Sequence, residues 1–342
     1  MITASVHPRQ LEPRTWQQQL AEAITTPEAL AEALGLSPSD LTGAPAAAAG
    51  RRFPLRVPRS FVARMRRGDL EDPLLRQVLP VAAELADTED DSADPVAERS
   101  ALRAPGLLQK YRGRALLITT PTCAIHCRYC FRREFPYAQH GGNAPRWSEA
   151  LAEIAADTTL EEIILSGGDP LSLSNARLES LTRSLAAIPH VRRIRVHTRQ
   201  PVVLPSRVDD GLLQWLRSST LPIVLVLHIN HPNEIDAELT AASAKLRATG
   251  VTLLNQSVLL TGINDDVEVL AELSRRLFGV GVLPYYLHVL DRVRGAAHFA
   301  MSDERARALA GQLAACLPGY LVPRLVREVA GAPAKVALGA AF

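Results

Sequence analysis

The sequence has little lysine, few aromatic residues and no long apolar run. Only three of its 38 basic residues are lysine, which leaves 35 arginines. No apolar stretch reaches the roughly 18 residues that a membrane span needs, and the N-terminal segment lacks the apolar core of a signal peptide. The formal net charge is only +2, so the composition gives no electrostatic footprint for nucleic acid. We therefore expect a cytoplasmic protein that binds neither a membrane nor nucleic acid.

The remaining composition is that of a folded globular chain. Hydrophobic residues make up 47% and charged residues 22% of the 342 residues, which suits one large α/β domain with an appendage, or two domains. The shortage of lysine has a chemical meaning, because arginine can replace lysine as a surface cation but cannot supply a nucleophilic amine. Each of the three lysines, Lys110, Lys245 and Lys335, is thus a candidate for that role.

Three of the four cysteines lie within eight residues of one another. Cys123, Cys127 and Cys130 follow the spacing CxxxCxxC, and such clustering in a cytosolic protein indicates a metal or cluster site rather than disulfides. Three thiolates can bind three irons of a 4Fe–4S cluster and leave the fourth iron open for another ligand. Zinc stays an alternative, since His126 or Cys316 would complete a tetrahedral site. By itself, Cys316 is predicted to be a buried structural thiol.

From residue 114 onward, strand-like and helix-like segments alternate. The strand-like segments are rich in leucine and β-branched residues and span 114–120, 161–168, 191–199, 221–230, 251–260 and 282–290. Apolar strands separated by amphipathic helices are typical of parallel sheets covered on both faces. Six such units predict an α/β fold, a partial (β/α)6 barrel. In barrels the chemistry lies at the carboxyl ends of the strands, where the cysteine loop, a Gly-Gly-Asp-Pro turn and His228 follow strands one, two and four.

The first hundred residues have a different character. Residues 27–41 are typical of a helix, a glycine stop and a capped restart. The acidic run 84–98 carries seven acidic residues and no basic one, and we interpret it as a solvated linker, with a lid or a partner contact as the alternative. The sequence thus predicts a mainly helical extension at 1–100, a barrel core at 101–325 and a C-terminal segment at 326–342.

Several short motifs occur in an order that resembles one known family. They are DPV at 94–96, KYRGR at 110–114, CAIHCRYCFRR at 123–133, LSGGDPL at 165–171, HINHPNEI at 228–235 and NQSVLL at 255–260, followed by Lys335. Over residues 90–340 the sequence resembles the radical S-adenosylmethionine (SAM) lysine 2,3-aminomutases, most of all the subgroup that makes β-lysine for elongation factor P. The resemblance implies a radical-SAM barrel and three cofactors: a 4Fe–4S cluster, SAM and pyridoxal 5′-phosphate.

The resemblance also assigns roles in cofactor binding. The three clustered cysteines would bind the cluster, and the turn formed by Gly167, Gly168 and Asp169 would contact the methionine part of SAM. Glycines at such a turn have no Cβ and so let a ligand approach the backbone closely. Arg114 is the most suitable partner for the pyridoxal phosphate group. The further cofactor contacts are assigned to Tyr111, Arg114, His228 and Gln256.

Migration of an amino group between adjacent carbons needs a cofactor that carries nitrogen through a radical. Pyridoxal phosphate does so by holding the amine as an imine, and its resting Schiff base needs a lysine amine. Lys245 is predicted to lie on a solvated helix face, and Lys110 precedes the first strand. Lys335 lies in a turn shaped by Gly331 and Pro333, at the position of the family's pyridoxal lysine. We therefore assign the catalytic amine to Lys335.

Three residues are assigned to the substrate by the same resemblance. Arg132 would hold the substrate carboxylate, for which a bidentate guanidinium is well suited, whereas Arg133 is interpreted as a surface cation. Asp291 and Glu328 would hold a distal ammonium group. The family's free-lysine enzymes have aspartate at the second position, and the glutamate here is one methylene longer while the preference for a cation is kept.

Together these assignments predict an isomerase that converts L-α-lysine to (R)-β-lysine by 2,3-amino migration. A ligase would attach the product to elongation factor P, and a flavodoxin or ferredoxin would supply the electron. The chain ends seven residues after Lys335, which favours this branch over the longer fermentative enzymes. The alternatives left open are an aminomutase for glutamate or arginine, a catabolic free-lysine enzyme, and a zinc-binding interaction protein. Two acids at the side-chain end weigh against glutamate.

Overall fold

A ten-stranded sheet forms the centre of the molecule. The computed structural model describes residues 14–37, 41, 44–86, 88–140 and 144–341. The strands follow one another in the sheet in the same order as along the chain. Their bounds are β1 Leu102–Ala104, β2 Leu107–Tyr111, β3 Arg114–Thr120, β4 Glu162–Gly167, β5 Arg193–Thr198, β6 Ile223–Leu227, β7 Thr252–Leu259, β8 Leu283–Val289, β9 Arg324–Arg327 and β10 Val336–Ala337.

Most of the sheet is parallel, as the sequence predicts. Strands β3 to β9 pair with their neighbours in parallel, while β1, β2 and β10 are antiparallel additions at the two ends. Strands β3 to β8 fall inside the six predicted segments. The partial (β/α)6 barrel is therefore confirmed, and β9 is a seventh parallel strand that the sequence pattern does not indicate.

Helices connect the parallel strands. The α-helices are α1 Trp16–Ala21, α2 Pro27–Leu34, α3 Ala44–Arg52, α4 Arg59–Val62, α5 Tyr137–His140, α6 Ala144–Ala156, α7 Asn175–Ala186, α8 Gln200–Val203, α9 Asp210–Ser218, α10 Ala237–Arg247, α11 Val267–Gly279 and α12 Asp303–Cys316. The long helices α6, α7, α9, α10, α11 and α12 follow β3 to β8 one by one. In the part of the chain that the structure describes, no helix is long and apolar enough to cross a membrane.

The helices after β4 to β8 begin where a short polar side chain caps them. Ser174, Asp209, Asp236, Asp266 and Ser302 each accept a hydrogen bond from a backbone N–H in the first helical turn. Such caps satisfy donors that have no partner within the helix. Each cap thus fixes the point at which the loop from a strand's carboxyl end becomes helical, and so shapes that edge of the sheet.

The N-terminal region packs against the barrel within one apolar core. Leu34 and Phe61 are buried in the same cluster as Leu165 of β4. The helix predicted near the start of the chain is found as α2, and Gly35 ends it in the left-handed conformation, with φ of 65°. The predicted restart at 38–40 lies outside the described residues. The proposed domain boundaries remain predictions.

The interpretation of the acidic run 84–98 as a solvated linker is wrong at its two ends. Glu84 and Glu98 are 0% and 3% exposed. Glu84 accepts hydrogen bonds from Arg128 and Arg133, and Glu98 accepts them from Arg132. Arg133 is correspondingly buried and is not the predicted surface cation. Carboxylates tolerate burial where counter-charges meet them, and here the cysteine loop supplies those charges.

The prediction for Cys316 is also wrong, because its side chain is exposed at the end of α12. The buried face of this helix runs through Leu309 and Leu313 and continues to Leu317, which leaves Cys316 on the other side. Lys245 lies exposed on α10, as predicted.

Candidate active site

One cavity, which reaches from the carboxyl ends of the parallel strands to Arg114 at the amino end of β3, is lined by every site residue that the sequence predicts. Its volume is about 440 Å³. Parallel topology brings the carboxyl ends of β3 to β8 to the same edge, and the loops that follow them form the wall. The fourteen predicted residues that line the cavity are Tyr111, Arg114, Cys123, Cys127, Cys130, Arg132, Gly167, Gly168, Asp169, His228, Gln256, Asp291, Glu328 and Lys335.

The loop that carries the three cysteines follows β3 and is held by the N-terminal region. The backbone N–H of His126 donates to the carbonyl of Arg56 over 3.0 Å, and that of Arg128 donates to the carbonyl of Gln77 over 2.9 Å. The segment before the barrel therefore holds the loop on both sides of its second cysteine, Cys127.

The three loop thiols are free and line the cavity. Burial raises the pKa of the Cys123 thiol, and it raises the pKa of Cys130 to about 11. Among the described residues, no three His, Cys, Asp or Glu side chains converge on a point where one metal ion would bind. Of the two candidates for a fourth zinc ligand, Cys316 does not line the cavity, and His126, which does, has its Nδ1 2.8 Å from the Pro54 carbonyl. Spaced thiols of this kind suit a cluster better than a single ion.

The glycines after β4 let this turn lie against the cysteine loop. A Cβ on Gly168 would lie 2.5 Å from the carbonyl oxygen of Thr122, and one on Gly167 would lie 2.9 Å from that of Thr120. Gly167 also has φ of 114°, which L-residues with a side chain rarely adopt. Both glycines are therefore required for the close approach of the turn to the loop.

The carboxylate of Asp169 is occupied by the chain's own donors. It accepts hydrogen bonds from the Thr198 hydroxyl (2.7 Å) and from the backbone N–H groups of Arg199 (2.7 Å), Gln200 (2.9 Å) and Leu171 (3.0 Å). Asp169 thus joins the turn after β4 to the end of β5. Any contact of this turn with a ligand would come chiefly from its backbone.

Arg132 lies in the cavity wall with its guanidinium already oriented. Its Nε and Nη2 donate to the two carboxylate oxygens of Glu98 over 2.8 and 2.6 Å. Its Nη1 donates to the hydroxyl of Ser166 over 3.0 Å. Since Glu98 is the buried end of the acidic run, this contact also ties the N-terminal region to the site.

A hairpin places Lys335 beside the predicted acids. Strand β9 runs parallel to β8, the chain turns at Gly331, and β10 returns antiparallel to β9. Glu328 follows β9 and Lys335 precedes β10, so both lie at the same edge of the sheet. The carboxylate of Glu328 binds the Lys335 ammonium with one oxygen and that of Lys110, on β2, with the other, over 3.1 Å.

The two acids at this end differ in charge. Burial, and then the charge of Glu328, raises the pKa of Asp291 to about 7. Burial acts to raise the pKa of Glu328 as well. The charges of Lys335 and Lys110 outweigh this effect of burial and lower the pKa of Glu328 to about 2. Near neutral pH, Glu328 is therefore ionised and Asp291 is poised between its two forms.

The remaining predicted cofactor residues form two pairs. The guanidinium of Arg114 lies over the ring of Tyr111, with its carbon 4.7 Å from the ring centre, and within the described ranges it has no ion pair. It is thus available to an anionic group. His228 Nε2 lies 2.8 Å from Gln256 Nε2, and burial lowers the pKa of His228 to about 3, so this imidazole is neutral.

Several cavity residues escape the sequence reasoning. The Nε2 atoms of His197 and His288 are buried without a hydrogen-bond partner in the part of the chain described, and both rings line the cavity. Buried polar atoms of this kind usually have a partner, so they fit a site that takes a polar cofactor. His197 and Arg199 lie in a segment predicted as a strand, near its carboxyl end, and Glu98 lies two residues after the DPV motif. Their positions in the sequence, near the end of a predicted strand or beside a motif, are the signals that could have identified these three residues as candidates.

Comparisons with known proteins agree with this arrangement. Residues 117–274 match the Radical SAM superfamily. The chain is 49% identical over 325 residues to the L-lysine 2,3-aminomutase of Escherichia coli, with 94% of each chain covered. It is 47% identical over 324 residues to that of Haemophilus influenzae, with 95% of each covered. With the enzyme of the same name from Clostridium subterminale it shares 34% over 322 residues, or 94% of this chain and 76% of the other.

Proposed function

The chain belongs to the lysine 2,3-aminomutases of the radical SAM superfamily, and on this basis we propose that it converts L-α-lysine to (R)-β-lysine for attachment to elongation factor P. As a member it is an isomerase that works with a 4Fe–4S cluster and SAM. Lysine 2,3-aminomutases are also pyridoxal phosphate enzymes, and the proposal includes that cofactor. The observation that carries it is the single cavity that contains the three cysteines, Lys335 and both acids.

We assign the cluster to Cys123, Cys127 and Cys130, whose free thiols line one side of the cavity. Three thiolate ligands leave an iron for the amino and carboxylate groups of SAM, and reductive cleavage of SAM supplies a 5′-deoxyadenosyl radical. The backbone of Gly167 and Gly168 lies against the cysteine loop. This proximity supports a contact of the turn with the methionine part of SAM.

We assign pyridoxal phosphate to the side of the cavity that contains Lys335. The cofactor needs an amine to hold it between turnovers, and when bound it delocalises an unpaired electron beside the migrating nitrogen. Arg114, which has no ion pair of its own among the described residues, would bind the phosphate together with Tyr111. His228 and Gln256 would contribute neutral hydrogen-bonding groups, which do not compete for that anion.

The substrate carboxylate is assigned to Arg132. Glu98 and Ser166 hold its guanidinium in one orientation, and a fixed planar donor group suits a carboxylate. The partial neutralisation by Glu98 also limits the cost of keeping this cation in the cavity before the substrate binds.

The cationic end of the substrate is assigned to Asp291 and Glu328. In the structure one oxygen of Glu328 is taken by the ammonium of Lys335. A lysine joined to the cofactor as an imine would have no ammonium group to donate to Glu328, so that oxygen would be open to the ammonium of an arriving substrate. Lys110 keeps the other oxygen and thereby keeps Glu328 ionised and in place.

This assignment also separates the candidate substrates. A γ-carboxylate would face one ionised acid and a second that ionises near pH 7, so glutamate is disfavoured by like-charge repulsion. Arginine has a cation at its end, as lysine does, so the charges of Asp291 and Glu328 do not separate these two amino acids.

Anaerobic purification followed by product analysis tests the proposal. The protein should be brown, with about four irons per chain, and should show the absorbance of lysine-bound pyridoxal phosphate, which Lys335→Ala should abolish. Incubation with SAM, dithionite and single amino acids should give β-lysine from lysine. Stoichiometric zinc without iron and sulfide, or turnover of glutamate but not lysine, would refute it.

The link to elongation factor P and the electron donor are tested separately. The purified product should be a substrate for a ligase that modifies elongation factor P, which a mass increase of the factor would show. A flavodoxin or ferredoxin should replace dithionite as reductant. If the enzyme makes β-lysine but the ligase does not use it, the catabolic alternative is supported instead.

A further inference from the structure

We propose that Arg199 sets the reduction potential of the cluster by donating a hydrogen bond to the sulfur of Cys127. Its Nη1 lies 2.8 Å from Cys127 Sγ, and the arginine is only 5% exposed. This inference rests on the proposed function in one respect, that Cys127 is a cluster ligand. No role was expected for Arg199 from the sequence.

Three further contacts hold the guanidinium at this sulfur, and a fourth holds the backbone of Arg199. Nη1 also donates to the Tyr129 hydroxyl over 2.6 Å. Nη2 donates to the Gln77 side-chain oxygen over 2.6 Å and to the Glu234 carboxylate over 2.9 Å. At the other end of the residue, the backbone N–H of Arg199 donates to the Asp169 carboxylate over 2.7 Å. The guanidinium cannot turn away from Cys127 without losing bonds to several separate segments.

The partners of Arg199 are themselves anchored. Gln77 and Glu234 are both completely buried. One oxygen of Glu234 accepts from the backbone N–H groups of Asn230 (2.9 Å) and His231 (3.1 Å) and from the Gln77 amide (3.3 Å). Because each partner is held from behind, the position of Arg199 is a property of the folded frame and not of the cluster loop alone.

The direction of the effect follows from the charges. One-electron reduction adds negative charge to the cluster, and hydrogen bonds to its sulfur ligands stabilise the reduced form and raise the potential. Glu234 offsets the overall charge of Arg199, but it accepts from Nη2, whereas Nη1 donates to the sulfur. Because Arg199 is 5% and Glu234 0% exposed, solvent screens this pair only weakly.

The test is a potentiometric titration of the reconstituted cluster, followed by electron paramagnetic resonance under anaerobic conditions. Arg199→Gln should make reduction less favourable by roughly tenfold, which for one electron corresponds to a fall of about 59 mV. Arg199→Lys, which keeps a positive charge but fewer donors, should fall between the wild type and the glutamine variant. Because the titration measures the reduction potential directly, a loss of enzymatic activity from another cause does not affect the result.

Arg195→Gln is the matched control. Arg195 lies on β5, just before Arg199 in the chain, lines the same cavity and is 16% exposed at its side chain, but its partner is Glu162 and not a cysteine. Its removal should change the potential much less. An equal shift in both variants would show a general effect of cavity charge and would overturn the specific role of Arg199.

The remaining outcomes separate this inference from the proposed function. If the wild type and the Arg199 variants contain equal iron and have equal potentials, the inference is wrong and the proposed function stands. If the wild type takes up no iron–sulfur cluster, the proposed function fails and the inference with it. If Arg199→Gln cannot be loaded with iron, an unchanged potential in Arg199→Lys refutes the inference and an intermediate fall supports it.

Discussion

Replacing Glu84 by glutamine should destabilise the protein far more than a surface substitution of the same kind. The Glu84 carboxylate accepts hydrogen bonds from the Val81 backbone, from Arg128 and from Arg133. Side-chain exposure is 0% for Arg128 and 1% for Arg133 and for Glu84 itself. The variant would therefore leave two buried guanidinium groups without a counter-charge.

The size of the effect follows from those exposures. Removing one partner of a buried ion pair costs about 3–5 kcal/mol, because the remaining charge stays desolvated. Glutamine keeps one accepting oxygen but replaces the other with an NH₂ group, which would face a guanidinium. Against a total stability of about 5–15 kcal/mol, this loss is large. Because both arginines lie in the cysteine loop, iron incorporation should fall as well.

Urea unfolding of the apoprotein, followed by tryptophan fluorescence, measures this cost. The matched control is Glu179→Gln, whose partner Arg183 lies 2.8 Å away but whose pair is exposed, at 74% for Arg183 and 55% for Glu179. Such pairs contribute about 0–1 kcal/mol. If both variants lose the same free energy of unfolding, the claim that the acidic run is a structural part of the cysteine site is wrong.

Three further predictions concern the site itself. Gly168→Ala would place a Cβ against the Thr122 carbonyl, so it should lower the free energy of unfolding in urea by about 1–3 kcal/mol and weaken SAM binding. Gly279 has open space around it, so Gly279→Ala should do neither. Because the pKa of Asp291 is about 7, its carboxylate gains a proton as the pH falls. The affinity of the holoenzyme for L-lysine should therefore drop roughly tenfold between pH 8 and pH 6. In a binding titration Asp291→Asn should remove that part of the pH dependence, and an unchanged profile in this variant would contradict the prediction. Cys316→Ser should leave the iron content unchanged, since this exposed thiol lies outside the cavity, and a loss of iron would show that Cys316 takes part in iron binding.

The repeating part of the fold was predictable because its signal is local. Each of the strands β3 to β8 contains at least two leucine, isoleucine or valine residues. The helices after β4 to β8 begin at polar caps. Strand β9 has a weaker signal, since it is four residues long, Arg324–Arg327, with arginine at both ends. Its conformation depends on pairing with β8, and strand formation of that kind depends on context more than on the residues themselves.

The site residues were predictable from motifs, but their partners were not. Arg199 reaches Gln77, Cys127 and Glu234 across 122, 72 and 35 residues of sequence. Glu98 was read as part of an acidic linker because a run of charges does not show which members meet a buried arginine. Which oxygen neutralises which cation is decided by the folded chain, so the pairs that orient Arg132 and Lys335 appear only in the structure.

The most direct test of the central claim follows one hydrogen atom through the cavity. The central claim is that the radical made beside the cysteines reaches a substrate lysine bound on the Lys335 side of the same cavity. If so, L-lysine deuterated at its β-carbon should transfer deuterium to 5′-deoxyadenosine, which should return it to the product during turnover. Mass spectrometry of both compounds gives the answer. Deuterium in 5′-deoxyadenosine and in β-lysine supports a single shared chamber. Formation of 5′-deoxyadenosine without deuterium, in the presence of bound lysine, would contradict it.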